Sequence, residues 1–289
     1  MLTRTWTPPF TLDLIATVAV HRRGSGDPAL RIGADGTVWR ATHTPDGPGT
    51  LRLRADSGSI EARAWGPGAA WLLDQFPDYL GAADQPEALT TDHPAVTRLQ
   101  QQATGLRIGR SERVWEALVP AVLEQKVVGT EAWRAWRYLL RQYGEPAPGP
   151  ADALRVPPPR RDWATIPDWE WHRSGAEAVR MRTIVRASKM DVERGADHLQ
   201  TLRGIGPWTA AEVRRRALGD PDAVPVGDYH LSAVVGHTLI GEAVDDAGML
   251  ELLAPFAGQR GRVVRLCERH GTRPPRRGPR MSVRDYRAF

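Results

Sequence analysis

The sequence is poor in cysteine and lysine. Among its 289 residues, Cys267 is the only cysteine, and Lys126 and Lys189 are the only lysines. One cysteine excludes a disulfide within the chain and any zinc or iron–sulfur site that needs several thiolates. It also fits a reducing compartment. Because lysine is so scarce, a reaction that requires an amine can draw only on these two side chains and the N-terminus.

Long apolar runs are also absent from the sequence. The longest run near the N-terminus, 14–20, follows an aspartate and is too short for a bilayer, which needs about 20 apolar residues. We therefore predict neither a signal peptide nor a transmembrane segment, and we expect the protein in the cytoplasm.

What is present is a globular composition with a slight excess of positive charge. Hydrophobic residues make up 41% and charged residues 25% of the chain, and 39 basic residues against 34 acidic ones give a net charge of +5. The first two values are typical of a folded protein with a sizeable core. The positive charge favours a polyanionic partner such as nucleic acid, although an ordinary protein of modest positive charge fits it equally well.

Residues 1–105 contain short alternating segments. Thr37–His43 and Thr50–Ala55 alternate apolar and polar side chains, which is the period of a half-buried strand. Glycine and proline separate such segments, and a helical pattern follows at Ala69–Phe76. We predict a small α/β subdomain over 1–105.

From about Asp92 the pattern becomes helical. A long amphipathic stretch is interrupted at Gly129 and Thr130, which indicates two helices with Thr130 as the N-cap of the second. We predict an all-α core over 106–270. The last residues, 271–289, are basic and rich in proline, and we expect them to be disordered.

A glycine-rich turn, LRGIGPW, lies between two helical patterns at Leu202–Trp208. Gly204 and Gly206 can take positive φ and allow another backbone to come close, and Pro207 suits the first position of a helix. The free amides of such a turn point outward at the positive end of a helix dipole and can bind a phosphodiester. An ordinary corner between two helices is the alternative.

The hairpin and the acid that follows it resemble a known family. The run L-x-G-I-G-P-W-T-A followed by P-V-G-D-Y is similar to the helix–hairpin–helix DNA glycosylase superfamily, and in detail to the bacterial 3-methyladenine DNA glycosylase II (AlkA) type. The resemblance is strong over 93–266, with further similar stretches at 93–127, 166–188 and 254–266, and weak over 1–90.

The resemblance implies an α+β fold, with a small antiparallel α/β N-terminal subdomain followed by an all-α helix–hairpin–helix glycosylase core. It implies a monomer that binds duplex DNA containing damaged bases, with no membrane association. It implies no cofactor and no metal site, apart from a monovalent cation that hairpin carbonyls of this family can hold.

The resemblance also assigns roles to residues. The hairpin, with Gly204, Gly206 and Thr209, would bind the DNA backbone, while Asp228 would stabilise the positive charge on the sugar, orient water, or both. Members that also cut the strand carry a lysine two residues after the second hairpin glycine and form a Schiff base. Trp208 stands there in this sequence, so we predict hydrolysis without lyase activity.

Departures from the family concern the wedge and the base pocket. Gln125 matches the residue at the start of the gap-filling loop, and Lys126 takes the neighbouring wedge position, which is apolar in the AlkA type. The predicted base pocket contains Trp208, but Glu212 and Glu268 stand where stacking aromatics are expected. These two acids could attract a cationic purine, donate to a neutral base when protonated, or face solvent while tryptophans stack on the base, namely Trp115, Trp133 or Trp136.

Three functions follow from these patterns. The leading one is a monofunctional glycosylase that flips and hydrolyses damaged purines, with alkylated purines as the first candidates. The second is a non-catalytic protein that binds damaged DNA, and the third is a glycosylase for neutral deaminated or oxidised bases. Three arginines of the last predicted helix, Arg260, Arg262 and Arg265, fit a solvated face or a contact with the DNA backbone.

Overall fold

The computed structural model describes residues 1–194, 196–274 and Asp285. The disorder predicted for 271–289 therefore lies almost wholly outside the described residues. Among the residues that are described, no helix is both long and apolar enough to cross a membrane.

The N-terminal part is an antiparallel sheet covered by two helices. Its five strands run in the order β1-β5-β4-β3-β2, and each neighbouring pair is antiparallel. The strands are β1 (Leu2–Trp6), β2 (Leu30–Ile32), β3 (Val38–Thr44), β4 (Gly47–Asp56) and β5 (Ser59–Trp65). The two predicted strands lie within β3 and β4 and are confirmed.

Alternation along the strands explains why one face of the sheet is covered. In β5 the buried residues are Ile60, Ala62 and Ala64, and the residues between them are only partly buried. This face packs against helices α1 (Leu14–Val18) and α2 (Ala69–Tyr79). Burying a period-2 apolar face in this way is what fixes the register of an antiparallel sheet.

Helices make up most of the remaining chain, which agrees with the predicted all-α character. They are α3 (Pro94–Gln102), α4 (Val114–Leu123), α5 (Gly129–Tyr143), α6 (Asp168–Ser174), α7 (Ala178–Ser188), α8 (Pro207–Val213), α9 (Leu231–Leu239), α10 (Asp246–Leu253) and α11 (Arg260–His270). A short two-stranded pair, β6 (Glu145–Pro146) and β7 (Arg155–Val156), follows α5. Helix α5 begins at Gly129 with Val128 as its N-cap, so the prediction of Thr130 as the cap is wrong.

One apolar core surrounds α4, which is buried along its whole length. The Trp163 ring lies near its centre and contacts the rings of Trp115, Trp136 and Trp171 at centroid distances of 6.3, 6.3 and 5.9 Å. Trp115 and Trp136 are each 4% exposed, and this burial leaves neither ring a face for a DNA base. Trp133 is only partly buried but packs against the same core.

A second core joins α3 to the C-terminal helices. Val96 and Leu99 of α3 are fully buried in it, together with apolar residues of α9, α10 and α11, and Ala16 of α1 belongs to the same cluster. This packing connects residues on both sides of the predicted boundary at residue 105, and the boundary itself stays a prediction. Ala16 of α1 and the buried residues of α11 therefore share one apolar cluster.

The segment around α8 has the irregular geometry that the glycine-rich turn predicts. Gly204 has φ +100°, and a Cβ there would lie 2.3 Å from Thr183 Oγ1, so both conformation and space favour glycine. Gly206 differs from expectation, because it is extended with φ −94° and a Cβ would meet nothing within 4 Å. Pro207 opens α8 as predicted, and the helix continues into a π-helical turn at Arg214–Leu218.

Candidate active site and nucleic-acid interface

The carboxylate of Asp228 is held from two sides at the start of α9. Oδ1 accepts the backbone N–H groups of His230 at 3.0 Å and Leu231 at 3.2 Å. Oδ2 accepts the indole N–H of Trp208 at 3.1 Å. Although they are 20 residues apart in the sequence, the predicted catalytic acid and the residue in the lysine position of the strand-cutting relatives are in direct contact.

The geometry of Asp228 suits a carboxylate that stabilises a nearby positive charge or positions a water molecule. A carboxylate oxygen has two acceptor positions, so Oδ2 keeps one beyond its bond to Trp208. The side chain is half-buried, which leaves it accessible while its orientation is fixed. An oriented carboxylate of this kind can stabilise a positive charge that develops nearby or position a water molecule, because it needs no reorganisation during the reaction.

The hairpin presents Gly204 and Gly206 at the surface and buries Ile205, which anchors the turn in the core. Thr209, in the first turn of α8, is 2% exposed, and its hydroxyl accepts a hydrogen bond from Gln125 Nε2 at 2.8 Å. The structure therefore gives Thr209 a contact within the protein. Accepting this bond does not use the hydroxyl hydrogen, but because the side chain is almost fully buried, its predicted contact with a phosphate would require the surface around it to open.

The loop after α4 is tied to the hairpin through Gln125. The side-chain Nε2 of Gln125 donates to the backbone carbonyl oxygen of Gly204 at 2.9 Å and also to Thr209 Oγ1. The backbone carbonyl oxygen of Gln125 accepts from Arg180 Nε and Nη2 at 3.0 and 2.6 Å. The next residue, Lys126, is exposed and has φ +53°, a left-handed conformation that is uncommon for residues other than glycine. Of the two predicted gap-filling residues, Gln125 thus has its side chain hydrogen-bonded within the protein, and Lys126 lies exposed at the surface.

Replacing Gln125 by alanine removes both hydrogen bonds to the hairpin, and we expect weaker binding to duplex DNA. Each bond contributes about 0.5–1.5 kcal/mol, less where it is exposed, so the dissociation constant should rise about threefold to tenfold. Fluorescence anisotropy at fixed salt would measure this. The matched control is Gln102→Ala on the exposed side of α3, and equal affinities for the two variants would contradict the expectation.

The two acids of the predicted base pocket belong to a buried ionic cluster. We define this Glu–Arg cluster as Glu212, Arg215, Arg216, Arg265 and Glu268. Arg215 Nη1 is 3.0 Å from Glu212 Oε1, and its Nη2 is 2.5 Å from Glu268 Oε2. The second oxygen of Glu212 pairs with Arg216, whose Nε also donates to the Val20 carbonyl oxygen at 3.1 Å. Thus α8, its π-helical turn and α11 are joined by charge-assisted bonds.

These contacts decide between the alternatives for Glu212. Burial alone raises the pKa of this carboxyl, but the Arg216 and Arg215 guanidinium groups outweigh burial and lower it to about 2. The two arginines thus favour an ionised Glu212 at neutral pH over a protonated form that donates to a base. It is 5% exposed, so it does not face solvent either. Glu268 is half-exposed, with 40% of its side chain accessible.

Sequence reasoning missed the roles of Arg215, Arg262 and Arg265. Arg262 is buried against Asp84, and Arg260 pairs with Asp222, so a solvated face does not describe these arginines of α11. Arg265 Nη2 donates to the Ala16 carbonyl oxygen at 2.9 Å. One signal was available: Glu212 stands three and four residues before Arg215 and Arg216, the spacing of ion pairs on a helix. The tertiary partners carry no such local signal.

A cavity of about 50 Å³ lies between the sheet and the helical core. Its lining includes His21, Arg23, Arg40, Glu116 and Arg216. It has room for a few water molecules and is too small to admit a purine. In the described part of the chain, no three His, Cys, Asp or Glu residues lie together as a metal site would require.

Comparison with known proteins gives a consistent result. No protein-family model matches the sequence. A curated relative from Mycobacterium tuberculosis, named a probable bifunctional transcriptional activator/DNA repair enzyme AlkA, is 28% identical over 236 residues. The alignment covers 73% of this chain but 46% of the relative, so the chain spans about half the length of the curated relative it matches.

Solved structures share the fold at low sequence identity. A 3-methyladenine DNA glycosylase from Archaeoglobus fulgidus superposes with a TM-score of 0.77 at 16% identity, covering 92% of this chain and 97% of that one. An 8-oxoguanine glycosylase/lyase from Clostridium acetobutylicum gives 0.73 at 10% identity, covering 92% and 95%. The α+β fold is therefore confirmed. The chain is thus similar in sequence to a curated AlkA protein and similar in fold to solved DNA glycosylases, which agrees with the resemblance noted in its sequence.

Proposed function

We propose that the protein is a monofunctional DNA N-glycosylase that hydrolyses damaged purine bases from duplex DNA in base excision repair. The observation that carries this proposal is the contact of Asp228 Oδ2 with Trp208 Nε1 at 3.1 Å, which fixes a half-buried carboxylate beside the hairpin helix. A protein that only binds DNA gains nothing from such a group, because a carboxylate near phosphates weakens binding.

In this proposal the hairpin amides contact the DNA backbone and the damaged nucleotide is extruded from the duplex. Extrusion is necessary because the bond between base and sugar is unreachable in a stacked helix. Cleavage of this bond builds positive charge on the deoxyribose, and Asp228 stabilises that charge, orients the attacking water, or both. The products are a free base and an abasic site.

Water is the proposed nucleophile because the position that a Schiff base requires carries no amine. Trp208 has an indole N–H that is already donated to Asp228, and an indole does not form a Schiff base. Lys126 lies on the loop after α4, and Lys189 directly follows α7. Neither lies on the hairpin or on the turn that holds Asp228.

A base-release assay with analysis of the DNA strand tests this proposal. We expect wild-type protein to release damaged purines and leave intact strands that break only on alkaline treatment, and borohydride should trap no protein–DNA adduct. A trapped adduct would contradict the monofunctional mechanism. Absence of release with duplex binding intact would favour the alternative of a non-catalytic protein that binds damaged DNA.

Further properties are part of the same proposal. The matched relatives are named for 3-methyladenine and 8-oxoguanine, so alkylated and oxidised purines are both candidate substrates. The resemblance to the AlkA type supports alkylated ones. We propose duplex DNA as the partner, a monomeric enzyme, and the cytoplasm as its location. A monovalent cation at the hairpin carbonyls stays a prediction.

A further inference from the structure

The Glu–Arg cluster begins one helical turn from Trp208, the residue that contacts the proposed catalytic carboxylate. Trp208 and Glu212 are four residues apart on α8 and therefore lie on the same face of that helix. Trp208 contacts Asp228. Glu212 forms an ion pair with Arg215, and Arg215 forms a second ion pair with Glu268 on α11. The cluster thus continues the face of α8 that begins with Trp208, on the side where the proposed extruded base would lie.

Both acids of the cluster are already neutralised. Glu212 has an arginine on each of its oxygens, and Glu268 pairs with Arg215. The neighbouring arginines Arg23 and Arg40 also have carboxylate partners, at 3.5 and 3.3 Å. Neither Glu212 nor Glu268 is thus a free anion that could attract a cationic base.

Arg265 is the member of the cluster that has no such partner. Within the described part of the chain no carboxylate oxygen lies within 4 Å of its guanidinium group, which is oriented by the Ala16 carbonyl oxygen. The side chain is half-buried. With one N–H bonded to Ala16, its remaining donors are available to an acceptor that enters from outside.

Titration behaviour supports a positive potential at this place. Burial, followed by the charge of Arg215, lowers the pKa of Arg265 to about 10. Burial and four arginines lower the pKa of His21 well below its ordinary value; these are Arg40, Arg216, Arg23 and Arg265. Burial alone lowers the pKa of such groups, and the neighbouring arginines add to the shift in the same direction, as a local excess of positive charge does.

A cationic purine is bound by stacking on aromatic rings or by a free carboxylate. The cluster offers neither, because its members are arginines and neutralised acids. A guanidinium group suits a different ligand: its planar fork donates two parallel hydrogen bonds, as to the carbonyl oxygen and ring nitrogen of a purine.

We propose, on the basis of the glycosylase function proposed above, that Arg265 reads the extruded base. We infer that this base is a neutral purine with a carbonyl acceptor, produced by oxidation or deamination, and that cationic alkylated purines are disfavoured. Arg265 is in this view a specificity residue, and Glu212, Arg215 and Glu268 are positioning residues that hold the wall of the site.

Three duplexes test the inference with wild-type protein. Each contains a single lesion: hypoxanthine, 8-oxoguanine or 7-methylguanine. Hypoxanthine and 8-oxoguanine represent the two sources of a neutral carbonyl purine. Hypoxanthine offers O6 and N7 to the guanidinium fork, 8-oxoguanine offers its carbonyl oxygens because its N7 carries a proton, and 7-methylguanine keeps O6 but has a methylated N7 and a positive charge. Single-turnover rates are divided by the uncatalysed rates, because a cationic base leaves more readily. We expect at least one neutral lesion to be accelerated tenfold or more above 7-methylguanine.

Variants of Arg265 separate charge from hydrogen bonding. Arg265→Met should lower excision of the preferred neutral lesion about tenfold to a hundredfold, the usual effect of one lost bidentate contact to a base. Excision of 7-methylguanine should stay the same or rise, since a positive charge is removed. Arg265→Lys keeps the charge but loses the planar fork, and should lower only the rate on the neutral lesion. The matched control is Arg269→Met, one turn further along α11.

Different failures have different meanings. A wild-type preference for 7-methylguanine, or an equal loss on all lesions in Arg265→Met, would overturn the inference and leave the glycosylase function intact. Release of no lesion at all would contradict the glycosylase function itself and the inference with it. If Arg265→Met does not fold, the inference is still tested by the preference of the wild-type protein between neutral lesions and 7-methylguanine, and by the rates of Arg265→Lys.

Discussion

Asp228→Asn should lower base release about a thousandfold, the loss expected when a preorganised group opposite a developing charge is removed. Asparagine keeps the size of the side chain and an oxygen that can accept from His230 and Leu231. What disappears is the negative charge that would face the sugar cation, together with the oxygen that accepts the indole N–H of Trp208. Binding to an abasic duplex should be unchanged or tighter, because one charge repelling the phosphates is gone.

A control for Asp228→Asn exists within the same chain. Asp245 caps α10 by accepting from Gly248 N–H at 2.9 Å, and Asp228 likewise accepts backbone N–H groups at the start of α9. Asp245→Asn should therefore retain full activity. If Asp228→Asn kept more than a tenth of wild-type activity, the catalytic role of Asp228 would be wrong. If it lost DNA binding as well, its loss of activity would not report on chemistry.

Glu212→Gln should be the most destabilising of these substitutions, lowering the free energy of unfolding by about 3–5 kcal/mol. The variant keeps the shape of the side chain but leaves Arg215 and Arg216 without its charge in a buried place, where an uncompensated cation is costly. Urea unfolding followed by circular dichroism would measure the loss. Glu251→Gln, on the exposed side of α10, is the matched control and should cost little.

The same residue predicts how stability depends on pH. In the folded protein the pKa of Glu212 is about 2, below the ordinary 4.5 that applies when unfolded. A depressed pKa gives a contribution that is fully present above about pH 4.5 and is lost as pH falls toward 2. The wild-type protein should lose this contribution in that window. Glu212→Gln should lack it, and identical pH profiles for the two proteins would refute the assignment.

Local features of the site could be predicted from the sequence because each is encoded within a few residues. The position of Pro207 at the start of α8 follows from the fixed φ of proline, and the strained conformation of Gly204 follows from its place in a tight turn. Gly206 shows the limit of this reasoning: a glycine permits positive φ without requiring it.

The Glu–Arg cluster could not be predicted in the same way. Glu212 and Glu268 were recognised as departures from the family pattern, but their meaning depends on Arg215, which bridges positions 56 residues apart. The contact of Arg265 with the Ala16 carbonyl spans most of the chain. No periodicity or motif in the sequence indicates such tertiary pairs, so three roles for the two acids stayed open. The burial of Glu212 and its pairing with two arginines then reduced the number of roles that fit.

The two bonds from Gln125 to the hairpin have a consequence for the DNA. They cross-link the loop that carries Lys126 to the turn at Gly204, so the spacing between these two surfaces is set before any duplex arrives. Under the proposed function, these two surfaces would form a preset template, and the duplex would supply the deformation. Sites where the helix already bends or opens easily, such as mismatched or weakly stacked base pairs, conform to it at the smallest energetic cost. Recognition of damage would thus begin with the mechanics of the double helix, before any group on the base is contacted.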